Sequence, residues 1–393
     1  MNEMNSDIER AIEAVKSGAP FYVQPYKEPK VWGAGGIGEY WYGAEAGPKS
    51  STARVGAVSA AMDRLVSASP ADVLGKDVVR LFGSRMPLVK ILTPNGRLSV
   101  QFHDAKNELW IVTATTIPDP SIILGFSKSS VEKYGKKVAD EYRRALENYG
   151  RNLNALIGAL EKNGCKADLE KAKDAEAAAR IVGTKNAAVS AALKNYEIAE
   201  KDMRSFYNFR PVKVGDVIPI PSGTMHALGA GVEIVEPQIA GPTQSLEDGA
   251  TYPVRYYFPG FERPLAQKKL DVDRVGEMRK EVASEAKPVI VRDEKGYKVE
   301  RLPGGFEDKG LEVHRITLRQ GSSIDVPSIE SFHNLVALEG NARVIVKGKG
   351  YDVPKVSAGG EMLVIPYAAG GYRIEADTQV QLVDTFTPVK AGR

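Results

Sequence analysis

Leu98-Ser99-Val100-Gln101-Phe102-His103-Asp104-Ala105-Lys106-Asn107-Glu108-Leu109-Trp110-Ile111-Val112 is the most informative stretch of the chain. Its first half alternates. In an extended strand Leu98, Val100 and Phe102 face one way, and Ser99, Gln101 and His103 face the other. An amide and an imidazole therefore project from one strand face. Asp104 to Asn107 reads as a turn, and Glu108 opens a second apolar run. Read as a hairpin, the segment sets Glu108 beside His103. Imidazole, amide oxygen and carboxylate then come within reach of one ion.

A second segment supplies what the first lacks. In Gly215-Asp216-Val217-Ile218-Pro219-Ile220-Pro221-Ser222-Gly223-Thr224-Met225-His226-Ala227-Leu228, a turn at Pro221-Ser222-Gly223 delivers His226 to the start of a strand. Two histidines with oxygen ligands suit Zn²⁺, or another divalent ion such as Mn²⁺, Fe²⁺ or Co²⁺. The chain has four histidines, and two of them fall in these segments. Each residue also has a plainer reading. A strand histidine is often an ordinary core residue, glutamine is a rare ligand, and Glu108 fits a charge at a hairpin end. The residues by themselves leave both readings open.

Away from these segments, 393 residues exceed one ordinary core. Ile8, Ile12 and Val15 mark a short amphipathic helix over 7–17, stopped by Gly18 and Pro20. Residues 21–128 read as short strands and loops, with one helix near 54–67. Ser129-Ser130-Val131-Glu132 matches a capping box. Val131, Tyr134, Val138, Tyr142, Leu146 and Tyr149 follow at helical spacing to Gly150, and Leu153, Leu156, Ile157 and Leu160 carry the period to Asn163-Gly164. Residues 166–206 hold two more helical stretches divided near Gly183. Strand character returns at Val212, 265–285 reads as a charged connector helix, and 286–393 is a run of short strands separated by glycine turns. Gly215-Asp216-Val217-Ile218-Pro219-Ile220-Pro221 is echoed by Gly360-Glu361-Met362-Leu363-Val364-Ile365-Pro366, as two barrels would require.

Composition excludes several roles. With 53 basic and 50 acidic residues the net charge is +3, so no general affinity for nucleic acid or an anionic membrane is expected. A local basic pocket for a phosphate is compatible with this balance. Cys165 is the one cysteine and cannot form an intramolecular disulfide. The N-terminus has no apolar signal stretch, and no run of about 18 apolar residues occurs anywhere, so a cytoplasmic location is expected. Gly33-Ala34-Gly35-Gly36-Ile37-Gly38 fits G-x-G-x-x-G but lacks the flanking strand and helix of a dinucleotide site. It reads as a loop near the active site.

The segments Ser99-Val100-Gln101-Phe102-His103-Asp104, Lys106-Asn107-Glu108 and Pro221-Ser222-Gly223-Thr224-Met225-His226-Ala227-Leu228 resemble the three metal-site segments of class I mannose-6-phosphate isomerases. Lys30-Val31-Trp32-Gly33, Ile37-Gly38-Glu39-Tyr40-Trp41, Pro87-Leu88-Val89-Lys90-Ile91-Leu92, Arg263-Pro264-Leu265 and Leu270-Asp271-Val272 are similar to further family elements. The resemblance covers most of residues 20–275. This sequence differs in having Asp104 after His103 and in placing Glu108 only five positions after His103. Arg255 is also displaced by two residues.

That resemblance implies a mainly β fold with a helical insertion: two cupin (jelly-roll) barrels plus an α-helical subdomain. The N-terminal catalytic cupin would take 1–128 and 209–264, the helical insertion 129–208, the connector helix 265–285 and the C-terminal cupin 286–393. It implies a zinc site of Gln101, His103, Glu108 and His226, and a small-molecule sugar phosphate as substrate. Isomerisation would move a proton between C1 and C2 through a cis-enediol. Lys106 and Glu236 are then the acid/base candidates, Arg255 a catalytic or substrate-binding cation, and Ser99 and Lys90 substrate contacts. His314 and His333 have no pair of acids at metal spacing in the sequence, so the C-terminal barrel reads as structural. Other readings are a related cupin isomerase or epimerase on another phosphosugar, a non-catalytic sugar-binding cupin, and a metal-dependent oxygenase. The chain is expected to be a monomer or a homodimer.

Overall fold

The computed structural model describes residues 2–104, 106–164, 186–239, 243–245, 251–253, 255–257, 270–281 and 286–389. Their strands build four large sheets, stacked in layers and flanked by helices. A five-stranded sheet has the order Tyr207–Pro211, Ser121–Phe126, His226–Ala227, Gln101–His103, Arg255–Tyr257. A six-stranded sheet has the order Val217–Ile220, Asn107–Thr115, Val232–Ile239, Leu88–Leu92, Ile37–Tyr42, Tyr26–Pro29. Trp110, Val112, Leu92 and Ile234 of the six-stranded sheet meet Ile122 and Leu124 of the five-stranded sheet in one apolar core, which makes a sandwich.

Strand alternation explains the other layers. In Asn107–Thr115, Leu109 and Ile111 leave that sandwich and pack with Val313, Val336, Val364 and Val383 of a nine-stranded sheet. That sheet runs from Val289–Glu294 at one edge to Val58–Ala61 at the other. Phe21–Gln24 pairs with Met362–Ile365 inside it, so the sheet mixes strands from either side of the division drawn at 286. Its far face closes over a four-stranded sheet around Leu318, Leu335, Val344, Leu363 and Leu382. Both faces of the central sheets are thus apolar, and each fully buried leucine or phenylalanine contributes roughly 1.5–3 kcal/mol.

Two long helices cover the outer face of the five-stranded sheet. Val138–Lys162 buries Tyr142, Leu146, Tyr149, Leu153, Leu156 and Leu160, the stripe expected from the spacing. These pack with Val100, Phe102, Ile123 and Phe126 of the sheet and with Val189, Tyr196 and Met203 of the helix Ala187–Arg204. Gly150 does not end the helix as the sequence suggests. It lies within it, where a Cβ would sit 3.1 Å from Leu270 Cδ1, so close packing accounts for the glycine. The cap also moves: Ser127, not Ser129, accepts from the Ser130 N–H and opens the helix Lys128–Tyr134.

Other expectations shift. The helix placed near 54–67 is two strands, Thr52–Val55 and Val58–Ala61, followed by short helices from Met62 to Phe82. The β-branched Thr52, Val55 and Val58 favour extended chain there. The N-terminal helix spans Asn2–Lys16. Within the expected connector helix, 272–277 is a 3-10 turn; Cys165, 166–185, 261–269 and 282–285 lie outside the described residues. After Gly33 a 3-10 turn, Ala34–Gly36, leads into the strand Ile37–Tyr42, so G-x-G-x-x-G opens no helix. Among the described residues no helix is long and apolar enough to cross a membrane.

Candidate metal centre

The segment from Leu98 to Val112 does not form a hairpin. Gln101–His103 belongs to the five-stranded sheet and Asn107–Thr115 to the six-stranded one, so the chain between them turns a corner of the sandwich. The corner gives the juxtaposition expected of the hairpin by another route. Both strands direct polar side chains into the space between the sheets, and His103 Nε2 lies 2.9 Å from Glu108 Oε1. His226 starts its own strand directly opposite Gln101. The loop that delivers it is pinned to the same place: Gly223 N–H donates to the His103 carbonyl at 2.9 Å, and Ser222 N–H donates to Asn107 Oδ1 at 3.1 Å. Gly223 has φ +80°, a conformation that favours glycine.

Ligating atoms of His103, Glu108 and His226 all lie within 4.8 Å of one another, and the three residues are buried. The two imidazole centroids are 5.0 Å apart. Gln101 joins them through its amide, whose Nε2 is 3.4 Å from His226 Nε2; a half-turn of the amide presents the oxygen instead. Supporting groups orient the set. His226 Nδ1 donates to the Thr224 carbonyl at 2.8 Å, leaving Nε2 with a lone pair directed inward. Trp110 Nε1 donates to Glu108 Oε2 at 3.0 Å, which leaves Oε1 for another partner.

A divalent ion fits these residues. His103 Nδ1 and Nε2 are buried without a hydrogen-bond partner, and Nε2 faces Glu108 Oε1 at 2.9 Å, with the Lys106 ammonium against the same oxygen. A buried polar atom left so is costly, and a cation between His103 and Glu108 would satisfy Nε2. The charge balance agrees. Two ammonium groups, Lys90 and Lys106, lie among three carboxylates, Glu39, Glu108 and Glu236, all buried. Burial, then the Lys106 charge, holds the His103 imidazole well below its usual range, so it is neutral, the form able to bind a metal. Burial pushes the Glu108 carboxyl up, but Lys106 and then His103 pull it well below the usual range, so it is ionised.

Stability should therefore fall on acidification. In the unfolded chain an imidazole takes a proton near pH 6.5, whereas folded His103 does so only well below that. As pH drops through 6.5 the unfolded state binds the extra proton first, and metal-free protein loses stability. Melting curves of metal-free protein between about pH 8 and about pH 5 measure this. A Tm that stays level across the range would contradict it.

Beside the ligand set lies a second row of groups. Trp41, Lys90 and Glu236 are consecutive cross-strand partners in the six-stranded sheet. Lys106 is not the exposed turn lysine its position suggests. It is 2% exposed, in close contact with Glu108 Oε1 and 3.3 Å from Glu236 Oε1. Burial, then the neighbouring Glu108 charge, raises the Glu236 carboxyl above its usual range, against the pull of Lys106 and Lys90. Lys90 is also buried. It sits 3.2 Å from Glu39 Oε2 and 4.6 Å from the Trp41 ring. Ser99 is buried too. The backbone of Arg255 pairs with His103 on the adjoining strand.

Sequence reading gave no role to Glu39, Trp41, Glu45 or Trp110. Glu39 binds Lys90, Trp41 donates to Glu39 Oε2 at 2.8 Å, and Trp110 holds Glu108. Glu45 is raised by burial, with Lys90 and Lys106 opposing. The signal for Trp110 was its position two residues after Glu108, on the same strand face. Glu39 and Trp41 share a face by the same rule, in a strand otherwise suited to burial. His314 and His333 do have acids beside them: Glu312 at 2.6 Å and Asp384 at 2.8 Å.

Two stacked jelly-roll sandwiches, one with a buried His-Glu-His cluster, define the fold. Solved structures with this fold include the mannose 6-phosphate isomerase of Bacillus subtilis, at TM-score 0.59 and 16% identity over 93% of this chain and 99% of that one. A variant of phosphomannose isomerase from Salmonella typhimurium gives TM-score 0.64 and 14% identity over 94% of this chain and 100% of its own. A zinc-bound mannose 6-phosphate isomerase gives TM-score 0.61 and 14% identity, over 94% and 100%. At such identities the likeness establishes the fold. No family model matches the chain, and no curated protein sequence matches it.

Proposed function

We propose that this chain is a divalent-metal-dependent aldose–ketose isomerase that interconverts mannose 6-phosphate and fructose 6-phosphate in the cytoplasm. The observation that carries the reading is a buried acid/base pair, Glu236 and Lys106, adjoining the His103, Glu108 and His226 cluster. Gln101, His103, Glu108 and His226 would hold zinc, or manganese, iron or cobalt in its place. Such an ion polarises substrate oxygens and stabilises negative charge at an enediolate.

The remaining work falls to the chain itself. Glu236 takes the proton from C2 of the aldose and returns it to C1, giving the ketose; the reverse reaction retraces the path. Its raised pKa brings it closer to the neutral range, where transfer in both directions is efficient. Lys106 carries the hydroxyl proton between O1 and O2 and keeps Glu236 aligned. Arg255 holds the phosphate, since a guanidinium matches its oxygens in pairs. Lys90 and Ser99 contact the sugar, with Lys90 fixed by Glu39 and Trp41. In this reading the N-terminal sandwich is the catalytic half, supported by the helical insertion over 129–208 and the C-terminal cupin.

A coupled assay with mannose 6-phosphate, run before and after chelation, tests the reading. Turnover is expected before chelation, loss after it, and recovery on adding zinc or manganese. Glucose 6-phosphate should turn over far more slowly. Undiminished turnover in protein shown to be metal-free, or preference for glucose 6-phosphate, would overturn it.

A further inference from the structure

The C-terminal sandwich ends in a polar mouth that the isomerase reading leaves unused. Glu312–Leu318, Val380–Phe386 and His333–Glu339 run side by side in the nine-stranded sheet. Along these strands Ile316, Leu318, Leu335, Leu382 and Val380 fill an apolar core. Towards one end the same inward positions become Glu312, His314, Asp384, Phe386 and His333, with Tyr372 against them. Burial alone gives no reason to place ionisable groups on a core face.

The groups are organised. His333 Nδ1 lies 2.8 Å from Asp384 Oδ2, and His314 Nε2 lies 2.6 Å from Glu312 Oε1. Phe386 packs on both imidazoles, at 4.9 and 5.0 Å between centroids. Tyr372 stands 5.4 Å from His333. Asp384 is 2% exposed, and its Oδ1 has no hydrogen-bond partner. The histidine side chains remain 12% and 16% exposed, so solvent reaches the mouth.

Each imidazole is held by a carboxylate, and a carboxylate is an acceptor with more than one lone-pair site. The mouth therefore holds an acceptor without a partner, Asp384 Oδ1, and the Glu312 carboxylate, beside two imidazoles and the Phe386 and Tyr372 rings. A ligand for it must be rich in donors and carry an apolar face. A phosphate would be repelled by Asp384 and Glu312. A single metal ion is not favoured, because among the described residues the one three-ligand cluster within 4.8 Å is His103, Glu108 and His226. We propose that the mouth formed by Glu312, His314, His333, Tyr372, Asp384 and Phe386 is a second binding site, for an uncharged sugar of the hexose class. Hydroxyls donate to the carboxylates, and the C–H face of the sugar lies on the rings. This does not depend on the isomerase reading.

The chain's four histidines make the test direct. Full-length, zinc-loaded protein labelled with ¹⁵N-histidine is titrated with D-mannose, and ring signals are followed by NMR. Saturable shifts of His314 and His333 are expected, with His103 and His226 unmoved. Asp384→Asn and, separately, Glu312→Gln should each weaken binding about tenfold while leaving the His103 and His226 signals unchanged. If Asp384→Asn does not fold, Glu312→Gln carries the comparison. The proposal is overturned if His314 and His333 stay unmoved up to about 0.1 M sugar, a concentration that would populate even very weak binding. It is also overturned if the shifts persist undiminished in folded variants, or if ethylammonium binds there more tightly than mannose.

Discussion

His226→Ala is expected to abolish both retained metal and isomerase turnover, in a protein that still folds. His226 is held by its Nδ1 bond to the Thr224 carbonyl, and its Nε2 is directed at His103 and Glu108. Alanine removes one of two imidazoles from the centre. Changing only a supporting group of a metal site costs about 10–100-fold in affinity, so loss of a ligand should exceed that. His103→Ala should behave alike, since His103 completes the same cluster. Metal content after dialysis and turnover with mannose 6-phosphate are the readouts. A variant that kept full metal and full activity would remove that histidine from the ligand set.

Glu236→Gln should separate catalysis from metal binding. The substitution keeps size and hydrogen-bonding capacity but ends proton transfer, so kcat is expected to fall by about 10²–10⁴-fold with metal content unchanged. KM should move little, because the lost interaction belongs to the transition state. In the parent enzyme the acid limb of kcat/KM should lie above the usual glutamate value of 4.5, because burial and then Glu108 raise the Glu236 carboxyl. A kcat within tenfold of the parent would place the base elsewhere, with Lys106 or Glu45 next to be tested.

Much of this centre was legible in the primary structure because strand periodicity is strict. Ser99, Gln101 and His103 alternate with Leu98, Val100 and Phe102, so their common face followed from spacing alone. The turn before His226 was equally readable from Pro221-Ser222-Gly223. The partner of Gln101–His103 was not. A short gap after a strand suggests a hairpin, yet the chain crosses to the opposite sheet between His103 and Asn107. Local sequence carries no signal for that choice, because the long-range pairing of Asn107–Thr115 with Val217–Ile220 and Val232–Ile239 decides it.

Burial of Lys106 escaped sequence reading for the same reason. A lysine in a polar turn is ordinarily solvated, and only the meeting of Glu108 and Glu236 from neighbouring strands provides the charges that keep it inside. Gly150 misled in the opposite direction: a helix stop by local rule is here a contact point for Leu270, far along the chain. The acids beside His314 and His333 went unnoticed because Asp384 arrives from a strand 51 residues beyond His333.

Anomalous diffraction at the zinc absorption edge, from crystals grown with zinc, tests the ligand set most directly. One strong peak is expected between the His103 and His226 rings, about 2.0–2.2 Å from a nitrogen of each and from a Glu108 oxygen, with Gln101 adjoining. A peak elsewhere, or none between those two rings in zinc-loaded protein, would contradict the metal centre and the sugar chemistry built on it.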